Sequence, residues 1–311
     1  MSSALRLVDT QLLHAPETHL QALEEEIQSL RQEVQLLRRR DEMVHFYLHK
    51  LDEELRLASR LQRDFLPKVM PEVSPVKFHT LFRPAGYVSG DLYDVFSLDE
   101  THVGFYLADA IGHGVPAALL TMFLRTSLVT KQIDSDGYRI LAPGEAMEKL
   151  NTALMQQNFS QTTFATAVYG VIDVATLEVS FARAGHPCPV ILRDGKAELI
   201  QHNEHAVGGL LGVFAGEPYP TSTYKLQPGD RLFVHSDGMD GAFTGEETNS
   251  GKEWCHELSK QGKLETSQIL TELASMLDRQ AGSLRPKDDL TIIAVEIEGE
   301  ETKRRRDGET M

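Results

Sequence analysis

The chain has 311 residues, of which 41% are hydrophobic, enough for one large domain or two ordinary ones. Its 31 basic and 46 acidic residues give a formal net charge of −15, which argues against nucleic acid or an anionic membrane as the main partner. The two cysteines, Cys188 and Cys255, form no CxxC pair. No stretch approaches the ~18 apolar residues of a membrane span, and no signal-peptide pattern is present, so a cytoplasmic location is expected.

The N-terminal part of the sequence predicts a disordered segment over residues 1–17 and a coiled-coil helix over residues 18–66. The helix is expected to stop at Leu66-Pro67, because proline cannot continue it. Apolar residues recur with heptad spacing over about five repeats. They are Leu23, Leu30, Leu37, Val44 and Leu51 at the d positions, with Ile27, Val34, Leu48 and Leu55 at the a positions.

This heptad pattern favours a parallel homodimer, because β-branched residues at a with leucine at d are typical of two-stranded coiled coils. The flanking charges agree, since glutamates at g would face arginines at e of a partner helix. These pairs are Glu26 with Arg31 and Glu33 with Arg38. The alternative is a long helix that packs back on its own domain. The expected dimerisation segment would also be the regulatory segment, contacted by a protein activator.

One a position, Asp41, interrupts the apolar seam directly after the basic run Arg38-Arg39-Arg40. A carboxylate at this position sets the register, marks a local melting point, or marks a stutter between two helices.

Residues 67–299 predict a single α+β domain, because strand-like runs occur in neighbouring pairs with helical stretches grouped between them. Asp194-Gly195 between two apolar runs predicts a hairpin. The charged tail over residues 300–311 is expected to be disordered.

Four short acidic motifs lie at the boundaries of predicted strands. Their aspartates are Asp91 after Gly90, Asp109 before Ala110, Asp237 in SDG, and Asp288 in KDDLT. Carboxylates that converge from strand ends suit hard cations, which prefer oxygen ligands. A pair of such cations can activate water and clamp a phosphoryl group. The sequence therefore predicts a metal-dependent enzyme that acts on phosphate.

Other metal and nucleotide sites are disfavoured by the motifs that the sequence lacks. There is no His/Cys ligand spacing for zinc, no EF-hand loop, no GxxxxGK[ST] and no GxSxG. Carboxylate-rich ligation without thiols indicates Mg²⁺ or Mn²⁺.

The motifs SGDLYD, DAIGHG, AGHPCP, SDG and KDDLTII occur in an order that resembles the PPM family of metal-dependent serine/threonine phosphatases, in its SpoIIE/RsbU-like bacterial branch. The resemblance covers about residues 55–298, and LASRLQRDFLP is similar to the helix that enters the phosphatase module in that branch. It implies a sandwich of two antiparallel β-sheets flanked by helices, with a centre for two Mg²⁺ or Mn²⁺ ions at one edge.

The resemblance also implies the ligands. Asp109 bridges the two metals and the Ala110 carbonyl completes one coordination shell, while Asp237 and Asp288 hold the other metal. Asp91 acts directly or through bound water. Water activated between the metals would attack phosphorus in line with the leaving oxygen, without a phosphoenzyme.

Further polar residues near these motifs have less defined roles. His113 is a candidate general acid for the leaving alkoxide, and the alternative is a loop-shaping residue. Asp289 is expected to support the site or to cap, and Asp94 to hydrogen-bond within its turn. Structural roles are expected for the remaining candidates, which are Arg83, His186 and Cys188.

These features together predict a protein phosphatase regulated through its coiled coil. By resemblance, its substrate is a phosphorylated STAS-domain anti-sigma-factor antagonist or a related partner-switching protein. The alternative is a non-catalytic coiled-coil scaffold with a degenerate phosphatase domain. A phosphodiesterase or nuclease is disfavoured by the acidic surface and the lack of a basic groove.

Overall fold

The computed structural model describes residues 4–135, 137–159, 163–200, 207–239, 252–279 and 288–299. The chain divides into two units, residues 1–57 and 58–311. The predicted disordered tail over residues 300–311 lies outside the described residues. None of the helices in the described ranges combines the length and the apolar character that a membrane span requires.

The first unit is helical. Helix α1 runs from Ala4 to Phe65, and its last two turns belong to the second unit. It ends directly before Leu66-Pro67, as the sequence predicts. Its start differs from the expectation, because residues 4–17 are helical where the sequence analysis placed a disordered segment. This stretch contains four leucines and two alanines, which are good helix formers.

The second unit contains two five-stranded antiparallel sheets. Sheet I has the strand order β1-β12-β11-β8-β9 and sheet II the order β10-β7-β6-β3-β2. The strands of sheet I are β1 (Val76–Arg83), β8 (Val190–Arg193), β9 (Lys196–Leu199), β11 (Arg231–His235) and β12 (Leu290–Ile297). Those of sheet II are β2 (Asp91–Ser97), β3 (His102–Ala110), β6 (Ala165–Asp173), β7 (Glu178–Ala184) and β10 (Ser222–Lys225). A separate hairpin pairs β4 (Lys131–Asp134) with β5 (Gly137–Ile140).

Helices cover the outer face of each sheet. Helices α2 (Val115–Ser127) and α3 (Pro143–Met155) pack on sheet II, while α4 (Lys252–Lys260) and α5 (Thr266–Arg279) pack on sheet I. A third apolar core fills the space between the sheets, where residues such as Phe105 and Ile293 are fully buried. The predicted α+β sandwich of two antiparallel sheets flanked by helices is therefore confirmed.

The Asp194-Gly195 turn joins β8 to β9 as predicted, with both residues at positive φ (51° and 75°), which a tight hairpin requires. The sequence patterns did not predict β2 or the shorter elements β4, β5, β10 and α4. Strands β4, β5 and β10 have only four residues each, too few to establish a periodic pattern.

Candidate metal centre

The site begins with a pair of aspartates on neighbouring strands of sheet II. Asp91 is the first residue of β2, and it lies directly opposite Asp109 near the end of β3. Residues at alternate positions of a strand share one face, and the residues that alternate with these two, such as Tyr93 and Leu107, lie in the core between the sheets. Both carboxylates therefore face the space between the sheets at one edge of the sandwich.

Asp91 is held from both sides of this space. Its backbone N–H donates to Ser89 Oγ (3.1 Å), and Thr291 Oγ1 of sheet I donates to Asp91 Oδ2 (2.6 Å). The other oxygen, Oδ1, is buried without a hydrogen-bond partner among the described residues. Burial raises the pKa of Asp91 to about 8, although the Thr291 hydrogen bond opposes this effect. A buried carboxylate oxygen without a donor is suited to a cation.

Asp109 lies in the negative field of several other aspartates. Its pKa is raised to about 9, first by burial and then by the charges of Asp91, Asp237, Asp288 and Asp289. These carboxylates, drawn from four separate chain segments, are therefore close enough to repel one another. Divalent cations would relieve this repulsion.

Sheet I supplies the opposite wall through two loops that approach each other closely. Asp237 follows β11, and Asp288 precedes β12. A Cβ atom added at Gly238 would lie 2.1 Å from the Asp289 carbonyl oxygen, so only glycine permits this approach. The glycine of the SDG motif thus brings the Asp237 and Asp288 loops together.

Asp289 is a structural clamp. It is buried, and its two carboxylate oxygens accept hydrogen bonds from the backbone N–H groups of Ala85 (2.6 Å) and Gly90 (2.6 Å). With both oxygens occupied, this side chain joins the loop before β12 to the loop that carries Asp91. The neighbouring Asp288 is exposed and accepts the Asp289 N–H at 2.8 Å.

The Ala110 carbonyl also lies beside this loop. A Cβ atom added at Gly90 would lie 3.3 Å from the Ala110 carbonyl oxygen, and the Ala110 N–H donates to the Gly90 carbonyl (3.2 Å). The lack of a Cβ atom at Gly90 therefore allows the backbone of this loop to lie close to the Ala110 carbonyl oxygen. Gly112 and Gly114 follow with positive φ (84° and 79°), which allows the sharp turn into α2.

The donor set fits hard divalent cations, because it consists of carboxylates and a carbonyl with an orphaned buried oxygen at its centre. Among the described residues, no three acidic, histidine or cysteine side chains are gathered closely enough to enclose one ion. Asp91 and Asp109 lie directly opposite each other on paired strands. Asp237 and Asp288 lie close enough for their charges to raise the pKa of Asp109.

Three further candidates differ from the paired aspartates in their surroundings. His113 is exposed on the loop before α2. Asp94 corrects the sequence analysis, since it lies within β2 rather than in a turn and pairs with Arg125 of α2 (2.8 Å). Alternation along the strand points it to the face opposite that of Asp91, so the two cannot share a cation. Arg83 pairs with Asp278 (2.7 Å), in agreement with a salt-bridge role.

His186 and Cys188 have structural environments. His186 is buried with Nδ1 2.8 Å from Thr166 Oγ1, and burial lowers its pKa to about 3, so the ring stays neutral. Cys188 Sγ donates to the Ile200 carbonyl (3.1 Å), and burial raises the pKa of this thiol. Neither environment activates a nucleophile.

Sequence reasoning missed the side chains that support the aspartates. Gln62, in the last turn of α1, is buried, and its Nε2 donates to the Ser89 carbonyl (2.7 Å) while its Oε1 accepts the Ser89 N–H (2.9 Å). Ser236 holds Thr291 within sheet I, because the Thr291 N–H donates to Ser236 Oγ (3.0 Å), and the Thr291 hydroxyl in turn donates to Asp91 of sheet II. Thr291 stands within the KDDLT motif and could have been found there, whereas Gln62 gives no local signal.

A helix-flanked sandwich of two antiparallel sheets with paired aspartates at one edge is the arrangement that the resemblance to PPM phosphatases predicts, and a solved PP2C domain shares this fold. A model of the family described as "Stage II sporulation protein E (SpoIIE)" matches residues 99–298. The chain belongs to this family.

Individual relatives agree with this assignment. The "Phosphoserine phosphatase RsbP" of Bacillus subtilis is 30% identical over 189 residues, which are 60% of this chain and 45% of the relative. The chain spans about half the length of the curated relatives it matches.

Two solved structures share the fold. The SiaA-PP2C domain of Pseudomonas aeruginosa has a TM-score of 0.66 at 22% identity, over 80% of this chain and 97% of that one. The catalytic domain of PstP, solved in complex with two manganese ions, has a TM-score of 0.51 at 17% identity, over 72% of this chain and 98% of that one.

Proposed function

We propose that this chain is a Mg²⁺- or Mn²⁺-dependent phosphatase that hydrolyses phosphoserine or phosphothreonine in a partner protein. The observation that carries the proposal is the cross-strand pair of Asp91 and Asp109, in an edge where Asp237 and Asp288 add to the negative field. Family membership and a relative named as a phosphoserine phosphatase support it.

In this proposal Asp109 would serve both cations, the Ala110 carbonyl would complete the ligands of one, and Asp237 with Asp288 would hold the other. Asp91 contributes directly or through water. When bound, the cations supply Lewis-acid activation of water and neutralise charge on the phosphoryl oxygens. The binding of two manganese ions by PstP, which shares the fold, supports this choice of metal.

The chain's own residues provide positioning and proton transfer. Thr291 fixes one oxygen of Asp91 and leaves the other for a ligand, while Asp289 holds the Asp91 loop against the Asp288 loop. His113 is the candidate donor of a proton to the leaving alkoxide, and its exposed loop leaves it accessible to a protein substrate.

The proposed substrate is a phosphorylated STAS-domain antagonist or a related partner-switching protein, on the basis of the SpoIIE/RsbU-like motifs. Regulation would enter through a homodimeric coiled coil formed by residues 18–66 and a protein that binds it. The Gln62 contact supports this route, because the last turn of α1 bonds to Ser89, whose hydroxyl accepts the Asp91 N–H.

The test is Mn²⁺-dependent hydrolysis of a phosphoserine peptide by the purified full-length chain, together with calorimetric Mn²⁺ binding. Asp109→Asn should reduce both turnover and Mn²⁺ affinity by about 100-fold or more, since it removes a shared ligand. Asp64→Asn is the matched control, because Asp64 is an exposed residue paired with Lys68. Equal turnover and affinity in wild type and Asp109→Asn would overturn the proposal. A wild-type chain without Mn²⁺ binding or turnover would favour the scaffold.

A further inference from the structure

We propose that a second face of α1 is a docking surface for an acidic segment of a regulatory partner protein. This face, called here the basic-aromatic stripe, consists of Leu36, Arg39, Arg40, Met43, Phe46, Tyr47 and Lys50. The inference rests on the proposed function, because it takes the heptad seam to be occupied by the second copy of the dimer.

The stripe is a continuous face of the helix that the heptad seam does not use. Its residues follow one another at intervals of three, one, three, three, one and three positions, which places them on adjacent turns of one side. In the register with Ile27 and Val34 at a, they occupy only the c, f and g positions. A coiled coil that pairs through a and d therefore leaves the c and f members of the stripe in solvent, with Arg40 and Tyr47 at the g positions along its edge.

The apolar members of the stripe are more exposed than the seam. Leu36, Met43, Phe46 and Tyr47 are between 60% and 69% exposed, whereas Val34 and Val44 in the seam are 46% and 47% exposed. The rings of Phe46 and Tyr47 contact each other edge to face, with centroids 5.6 Å apart. A contiguous group of large apolar side chains that dimerisation does not cover is typical of a protein interaction site, and aromatic residues, methionine and arginine are enriched there.

The charge of the stripe identifies the partner's chemistry. It contains three cations and no acid in a chain whose net charge is −15. Arg38 lies outside the stripe and faces Glu33 of the partner helix in the parallel register, but Arg40 would face His45. Among the described side chains, no ion pair engages Arg39 or Arg40, while Lys50 lies 4.0 Å from Glu54. The two arginines are therefore available to carboxylates of another protein, which gives charge complementarity.

The extent of the stripe fits a short protein segment. The g position before it is Glu33, and the f and g positions after it are Glu53 and Glu54, so its positive face ends within about two heptads. In a two-fold dimer the two stripes lie on opposite sides of the coil and cannot lie together on a membrane plane. Lateral packing of further copies would bring like charges together at Arg39 and Arg40. An acidic segment with apolar side chains would pair its carboxylates with the cations of the stripe and pack its apolar side chains against the apolar members of the stripe.

The stripe spans the same turns of the helix as the interruption of the seam at Asp41, but lies on the opposite face. A partner bound there would stiffen the coil at the turn where the seam is polar. Docking at this position therefore links partner binding to the stability of the coiled coil.

The first experiment places a photo-crosslinking amino acid at Phe46 of the full-length chain in its native cells and identifies the cross-linked peptide by mass spectrometry. A peptide from a different protein, rich in Asp and Glu, supports the proposal. Cross-links only to another copy of this chain, only to lipid, or to no protein overturn it.

The second experiment measures the affinity of the purified full-length chain for that cross-linked protein by calorimetry. Met43→Gln/Phe46→Gln and Arg39→Gln/Arg40→Gln should each weaken binding by about tenfold or more, and added salt should weaken wild-type binding. The control Ser29→Glu/Gln32→Glu changes the net charge as the arginine pair does, at c and f positions one heptad earlier, and should leave affinity unchanged.

The outcome is separable from the proposed function. All of these variants should remain dimers in sedimentation and keep basal Mn²⁺-dependent turnover, since they alter neither the seam nor the metal centre. Loss of binding with both properties retained supports the docking surface. Equal affinity of wild type and both stripe variants overturns it, whereas a monomeric or inactive wild type counts against the proposed function.

Discussion

The metal edge of the sandwich and the exposed part of α1 differ in whether their side chains find partners within the chain. At the metal edge, Asp91, Asp289 and Thr291 find hydrogen-bond partners on separate segments of the same chain. Along residues 23–57 of α1, large apolar side chains remain exposed to solvent. The metal edge forms its hydrogen bonds within the chain, while α1 has an amphipathic pattern whose apolar face pairs with a second helix in the proposed dimer.

This difference has an energetic consequence. A helix with its apolar stripe in water gains no burial energy, and isolated helices depend on tertiary or quaternary packing for most of their stability. The charged carboxylates of Asp91 and Asp109 are instead destabilised by burial and by mutual repulsion, which raise their pKa values. In the proposed function, each region would be stabilised by a different component, a second helix in one case and cations in the other.

The largest effect is expected from breaking the seam. Leu30→Asn/Leu37→Asn places two amides at d positions in each helix of the proposed dimer, and each lost leucine costs about 2 kcal/mol or more. The dimer dissociation constant should therefore rise by about 1000-fold or more, measured by sedimentation equilibrium of the full-length chain. The control Gln28→Asn/Gln35→Asn, at exposed b positions, should leave the dimer intact. A wild-type monomer, or a variant that dimerises as tightly as wild type, would refute the assignment of the seam.

A smaller effect is expected from breaking the link between the end of α1 and the metal edge. Gln62→Leu keeps the size of the side chain but leaves the Ser89 N–H and carbonyl without their bonds. Unmade buried hydrogen bonds cost about 1–3 kcal/mol of stability, and loosening of a supporting shell typically lowers metal affinity by roughly tenfold. Calorimetric Mn²⁺ affinity and turnover should both fall by about tenfold.

Gln35→Leu provides the matched control for this link, because Gln35 is exposed on the same helix. It should leave Mn²⁺ affinity and turnover at wild-type values. If Gln62→Leu instead lowers the unfolding temperature without any change in Mn²⁺ affinity, the last turn of α1 only packs on the domain and does not position Asp91.

The contrast between these regions also explains what the sequence could predict. Asp91, Asp109, Asp237 and Asp288 were found because each stands beside a strand-like run, which is a local pattern. Asp94 was misplaced because the first five residues of β2 are all buried, so no alternation of buried and exposed residues marks the two faces that separate Asp94 from Asp91. Gln62 was missed because its partner lies 27 residues away and no local pattern marks a polar side chain that will be buried.

The smallest effect concerns the stability of the metal-free protein as a function of pH. In the unfolded chain Asp91 and Asp109 titrate near their ordinary pKa of 3.8, whereas in the folded chain burial is the main cause that raises these pKa values to about 8 and about 9. Between those limits the unfolded state binds fewer protons than the native state, so the free energy of unfolding falls as pH rises. His186 and His235, with pKa values lowered by burial to about 3 and about 4, stay neutral above pH 7 and do not oppose this trend.

The unfolding temperature of the metal-free chain should therefore fall by a few degrees between about pH 7 and about pH 9. Asp109→Asn removes one of the titrating carboxylates, so its unfolding temperature should depend less on pH and exceed that of the wild type at the upper end. Asp64→Asn should keep the wild-type slope. Saturating Mn²⁺ should raise the unfolding temperature of the wild type but not that of Asp109→Asn. If the metal-free wild type and Asp109→Asn lose stability in parallel as pH rises, the carboxylates are not crowded, and the edge would not need cations to offset their repulsion.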